Sequence, residues 1–171
     1  ASNPGINYRD FLVETMDKVA EPVLQGVYSD RIILTKANSP YRVVGDVSFD
    51  DWVTIEPGIE IIVEGNYQIS CKWVARISGS EQHPIIFKSA VENPTNSEWK
   101  GVFLDSTLSV FDSSFDFVEI QDADVGVHHL LDPKVSSGNS EKFSLTSLSI
   151  FNCEVGVKLE GVSVSGTSPT L

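Results

Sequence analysis

The chain has 171 residues, enough for one domain with a continuous apolar core, and its 41% hydrophobic content excludes wholesale disorder. With 24 acidic against 12 basic residues the net charge is -12, and no cluster of Lys and Arg is present. That argues against nucleic acid as a partner, since affinity for phosphate backbones comes from grouped basic side chains.

The longest apolar runs, such as Ile61-Ile62-Val63, fall well short of the roughly 18 residues that cross a bilayer, so a soluble chain is expected. Ala1 opens the sequence without a basic or apolar leader, as in a mature chain or a segment of something longer. The two cysteines, Cys71 and Cys153, are too few for a disulfide framework and lack zinc spacing; two buried free thiols in strands are expected, with a single bridge as the alternative. No Asn stands in a usable N-glycosylation triplet.

The first predicted element is helical. From Asn7 to about Gln25, Tyr8, Phe11, Leu12, Met16 and Val19 recur at spacings of three and four, with charged residues between them. Pro22 should bend or end the helix. Its apolar face is expected to lie on the core, with partner binding as the alternative.

From Arg31 the pattern changes to short β-runs. Val53, Ile55, Ile59, Ile61 and Val63 alternate around the turn Glu56-Pro57-Gly58, as two strands with one buried face would. Ile85-Ile86-Phe87, Val102-Phe103-Leu104, Leu108 with Val110, and Phe115, Phe117 and Ile120 follow. Such spacing fits a sandwich, a barrel or a solenoid.

A repeat selects among these. Ile120-Gln121-Asp122-Ala123-Asp124-Val125-Gly126-Val127 returns thirty residues later as Ile150-Phe151-Asn152-Cys153-Glu154-Val155-Gly156-Val157, and Phe115 and Val118 fall on Leu145 and Leu148. Apolar residues recurring at a fixed period predict strands stacked in parallel on the pass before. The expected fold is all-β, a right-handed parallel β-helix over 31–171, preceded by an N-terminal helix and cap over 1–30. The exposed first pass needs a cover, and the helix at Tyr8 to Val19 is the expected one.

Ser39-Pro40-Tyr41-Arg42-Val43-Val44-Gly45-Asp46-Val47, then Val53-Thr54-Ile55-Glu56-Pro57-Gly58-Ile59-Glu60-Ile61, then His83-Pro84-Ile85-Ile86-Phe87-Lys88-Ser89 and Glu98-Trp99-Lys100-Gly101-Val102-Phe103-Leu104 follow one another in order. Together they resemble right-handed parallel β-helix repeat segments of large surface and adhesion proteins, both bacterial and of the bark beetle (Anakonda) type. The resemblance spans roughly Ile32 to Asp105 and is weaker to Leu159. Where such segments carry a Gly-rich stretch after the first pass, this chain has Tyr67 to Gly79. The resemblance implies a structural or adhesive module at the cell surface or outside the cell, and it implies a structural role for Trp99 and Gly101.

Parallel β-helices also include polysaccharide lyases and hydrolases, whose chemistry needs two carboxylates facing one groove. Asp50-Asp51 and Asp122-Ala123-Asp124 are the close pairs, and Asp50 and Asp51 sit in an expected turn before Trp52. Gly101 to Pro133 contains no Lys or Arg but holds Asp105, Asp112, Asp116, Glu119, Asp122, Asp124 and Asp132. A solvated acidic face is the expected reading, with calcium bound through Asp122 and Asp124 as the alternative. His128 and His129 point to opposite sides of a strand and so do not form a metal site together.

No catalytic, cofactor-binding or metal-binding residue is assigned, and no enzyme activity is expected. The expected function is a non-catalytic, extracellular or cell-surface structural and adhesion module. Its partner would be another protein, or a second copy bound through solenoid faces or ends; a carbohydrate-binding or carbohydrate-active β-helix is the alternative. Trp52 and Trp73 are left as aromatics that could serve either reading.

Overall fold

The computed structural model describes residues 18–105, 113–130 and 143–161. They form fourteen strands: β1 (Lys18–Val19), β2 (Val23–Tyr28), β3 (Ile32–Leu34), β4 (Tyr41–Phe49), β5 (Val53–Ile55), β6 (Glu60–Val63), β7 (Gln68–Cys71), β8 (Ala75–Ser78), β9 (Ile85–Ser89), β10 (Trp99–Asp105), β11 (Ser113–Gln121), β12 (Ala123–Leu130), β13 (Phe143–Phe151) and β14 (Val155–Glu160). All fourteen belong to one sheet, and every pairing between them is parallel. The protein is all-β, with one 3-10 turn at Lys36–Asn38 and no α-helix among the described residues.

The pairs sort into three ladders. The first runs β1, β3, β5, β8, then the leading halves of β11 and β13. The second runs through the leading parts of β2 and β4, then β6, β9 and the trailing halves of β11 and β13. The third takes the trailing parts of β2 and β4, then β7, β10, β12 and β14. The chain therefore visits the three ladders in the same order on each pass.

Alternation along each strand sends every second side chain into the core. In register these side chains form columns: Leu34, Ile55, Ile77 and Phe115 on the first ladder, and Tyr41, Ile61, Phe87 and Ile120 on the second. The third carries Phe49, Cys71, Leu104 and His129. All of these are buried. Each large apolar side chain so placed contributes on the order of 1.5 to 3 kcal/mol, so the columns are the main source of stability.

The expected stacking of the thirty-residue repeat is found. Val125 pairs with Val155 and Val127 with Val157, Phe115 with Leu145 and Val118 with Leu148, and the Ala123 amide lies 3.4 Å from Cys153 Sγ. Corners recur with it. Phe117 and Ser147 have φ of 50° and 54°, and Asp122 and Asn152 have 64° and 47°, so both bends of one pass are copied in the next.

The expected helix does not extend as far as Gln25. Residues 7–17 lie outside the described residues, but Lys18–Val19 and Val23–Tyr28 are strands. Pairing with β3 and β4 supplies their backbone partners, and this outweighs a helical spacing whose last member, Val19, is 56% exposed. Tyr8, Phe11, Leu12 and Met16, the rest of the proposed covering face, lie outside the described residues.

Gly101 shows why the Trp-x-Gly spacing matters. Its φ is +101°, and a Cβ there would stand 1.6 Å from the Val125 carbonyl oxygen, so only glycine lets β10 approach β12 at this bulge. Two residues earlier Trp99 is fully buried, stacks on Phe87 with ring centroids 6.5 Å apart, and donates its indole N–H to Gln121 O at 2.8 Å.

Candidate functional site

The outer surface of the ladders carries charged side chains that pair between passes. Arg42 meets Glu64, Lys88 meets Glu60, Lys72 Nζ lies 3.0 Å from Asp50, and Lys100 Nζ lies 3.5 Å from Asp46. Exposed pairs of this kind contribute little stability each, though they favour one register over another. Each of these four acids is thus met by a basic residue one or two passes away.

The carboxylates singled out by sequence do not converge. Asp50 accepts from Ser48 Oγ at 2.5 Å and faces Lys72, and these two hold its pKa below the usual carboxylate value. Asp51 accepts from the Trp52 amide at 2.7 Å, in the expected turn between β4 and β5. Asp122 and Asp124, expected on one face, are split by the left-handed backbone at Asp122: Asp122 is buried and Asp124 is exposed. Among the described residues no group of three or more His, Cys, Asp or Glu side chains is placed to hold a metal ion. Asp112 and Asp132 lie outside the described residues.

Asp122 instead belongs to a corner bracket. Asn152 Nδ2 donates to Asp122 Oδ1 at 2.8 Å and to Thr95 O at 3.0 Å, tying the 90–98 loop to two successive corners. Beside this bracket opens a groove of about 430 Å³ lined by Lys88, Ser89, Val91, Glu92, Gln121 and Asp122, among others. Sequence reasoning did not find this groove, because Glu92 sits in a loop with no periodic signal. Asn152 could have been found from its thirty-residue offset to Asp122.

His128 and His129 separate as expected. His128 packs edge-on against Phe103 and lies 2.9 Å from Glu160, while His129 occupies a core column. Burial, and secondly the neighbouring His128, hold the His129 pKa below that of a free histidine. Lys158, then His128, lowers that of Glu160. Trp52 is half-buried, with the guanidinium groups of Arg31 and Arg76 over its ring at 4.1 Å and 5.0 Å from the centroid. Trp73 is half-buried in the turn between β7 and β8.

Both cysteines are free. Cys71 is buried in β7, where desolvation pushes its thiol up to about 12. Cys153, expected in a strand, lies in the turn between β13 and β14, half-buried.

The most distinctive surface is at the ends of the ladders. Of nine exposed large hydrophobic residues among those described, eight lie on the terminal strands: Val19, Val23 and Val27 on β1 and β2, and Leu145, Phe151, Val155, Val157 and Leu159 on β13 and β14. β13 pairs only with β11 and β14 only with β12, so each leaves one edge without a strand among the described residues. Apolar exposure on unpaired strand edges is a surface suited to another polypeptide.

No family model matches this chain, and no curated protein or solved structure matches it significantly. No helix among the described residues is long and apolar enough to cross a membrane. What the fold defines is a class: an all-β protein built on one large parallel sheet.

Proposed function

We propose that this chain is a right-handed parallel β-solenoid serving as a non-catalytic structural and adhesion module, extracellular or at the cell surface, that binds other proteins. The observation that carries the reading is the concentration of exposed apolar side chains on the terminal strands. The fixed order in which the chain visits its ladders supports closure into a solenoid. The local partners of Asp50, Asp51 and Asp122 favour structural over catalytic roles for those carboxylates. The resemblance of Ile32 to Asp105 to surface-protein repeats points the same way.

The test is adhesion itself. Beads coated with the chain should attach to cells or to one another above the level of albumin-coated beads, saturably and in competition with the free chain. Attachment equal to the control across a panel of cell types, with no bead clustering, would sink the reading.

One observation favours a carbohydrate reading as second choice: the groove beside the corner bracket is lined by two acids, Glu92 and Asp122, together with Lys88. Incubation with a panel of acidic and neutral polysaccharides would reveal it, through new reducing ends or unsaturated uronates that disappear in Glu92→Gln. Such turnover would displace the adhesion reading.

A further inference from the structure

Most of the described basic side chains are bonded within the fold. Arg42, Lys72, Lys88, Lys100 and Lys158 each face a carboxylate, and Lys36 Nζ donates to Gly58 O. Arg31 and Arg76 do neither. Their guanidinium groups stand over the Trp52 ring, 4.1 Å and 5.0 Å from its centroid, and no carboxylate among the described residues is within ion-pair distance of either. Both arginines are exposed. Three successive passes of the first ladder build this cluster. Arg31 immediately precedes β3, Trp52 immediately precedes β5, and Arg76 is the outward residue of β8 in register with Thr54. The Ile32 amide donates to Trp52 O at 2.9 Å, which sets Arg31 beside Trp52.

We propose that Arg31 and Arg76, held over Trp52 with Thr54 beside them, bind a single carboxylate group, supplied by an Asp or Glu side chain of a protein partner. The inference rests on the protein-binding reading above. The negative face of the indole holds each cation near it, but two like charges at one ring repel, and their N–H donors have no protein acceptor among the described residues. An oxyanion answers both conditions. The planar fork of a guanidinium matches the oxygens of a carboxylate, and two forks at one ring can share it, one oxygen each. Thr54, half-buried and next to Arg76 in register, adds a hydroxyl donor.

The charge of the whole chain selects the source of that group. At a net charge of -12 the chain repels polyanions such as polyuronates and sulfated glycans. An isolated basic spot on such a surface suits one acidic side chain on a partner that is itself neutral or basic around it. The contact then fixes the register of the partner on the first ladder, while the acidic surroundings attract the rest of it.

Titration of the isotope-labelled full chain with acetyl-glutamate amide, followed by NMR, tests the site. The expected result is a saturable shift of the Trp52 indole N–H and of the Arg31 and Arg76 Nε–H signals, absent with acetyl-glutamine amide, which has the same shape without the charge. Arg31→Gln and Arg76→Gln should each weaken binding by about threefold or more, whereas Arg42→Gln, at an exposed arginine that faces Glu64, should leave it unchanged. Beads coated with the double variant Arg31→Gln/Arg76→Gln should attach to cells more weakly than wild-type beads. Equal responses to the two amides, or a glutamate response that survives loss of both arginines, would overturn the site. A stronger response per carboxylate to oligogalacturonate would overturn the protein source and assign the group to a polysaccharide. Wild-type adhesion by the double variant would overturn the part of the site in partner binding and leave the adhesion module standing. The expected titration in a chain whose wild-type beads adhere to nothing would do the reverse, removing the protein source and leaving the carboxylate site.

Discussion

Replacing Gly101 by alanine tests the closest approach in the fold. The backbone there has φ of +101°, which an L side chain adopts only under strain of about 1 to 3 kcal/mol. A Cβ would also stand 1.6 Å from the Val125 carbonyl oxygen, a distance no rotamer relieves because both atoms are main chain or fixed to it. β10 must then move off β12, which loosens the neighbouring pairs Val102 with Val127 and Leu104 with His129. Gly101→Ala should therefore cost about 4 kcal/mol or more, among the largest single-residue effects. Gly26 is the control: its φ is +78°, yet nothing lies within 4 Å of a Cβ built on it. Gly26→Ala should cost only the conformational part, about 1 to 2 kcal/mol. Urea unfolding followed by tryptophan fluorescence separates the two, since with a slope of about 2 kcal/mol per molar the midpoints should differ by about 1 M or more. Equal midpoints would mean that β10 and β12 do not meet as described.

Asn152→Asp replaces the donor that binds Asp122 and Thr95 with a second carboxylate, and should cost about 2 kcal/mol near neutral pH, with part recovered in acid as the pair takes up a proton; an unchanged melting temperature would remove the bracket. His129 has a folded pKa held below its unfolded value near 6.5, so between the two the unfolded chain binds more protons and stability falls as pH is lowered from about 6.5. His129→Leu should lessen that loss relative to the wild type in melts between pH 7 and pH 5, and equal slopes would count against burial of a neutral ring. Cys71, its thiol pushed up to about 12, should resist a disulfide-exchange reagent in the native state while Cys153 reacts slowly, and both should react at once in denaturant. Fast labelling of Cys71 in the native protein would contradict its burial.

What the sequence disclosed depended on constancy of offset. The last two passes keep thirty residues on all three ladders, at Phe115 to Leu145, Ile120 to Ile150 and Val125 to Val155, and their pairing was legible. Earlier passes do not: Ile32 meets Val53, Val53 meets Ala75, but Arg76 meets Ser114, because loops of unequal length enter between strands of equal role. No fixed period could reveal them. Trp99 and Gly101 were legible as landmarks, and each has a physical reason in the bulge between β10 and β12. The stretch from Lys18 to Gln25 was misread because short strands interrupted by Pro22 and the positive-φ Gly26 show no clean alternation, whereas the upstream residues supply a helical spacing. The left-handed corners at Phe117, Asp122, Ser147 and Asn152 use no glycine and so left no signal of their own. The exposure of Val155, Val157 and Leu159 left no signal, since alternation reports which way side chains point and says nothing about whether another layer follows.

The parallel stacking of successive passes underlies every functional statement, and methyl NOE spectroscopy on the specifically labelled chain tests it most directly. With parallel strands about 4.8 Å apart, cross-peaks are expected between Val127 and Val157, between Val125 and Val155, and between Val118 and Leu148. Cross-peaks linking Val125 to Val157 and Val127 to Val155 in their place would mean antiparallel pairing, and with it a sandwich rather than a stack of parallel passes.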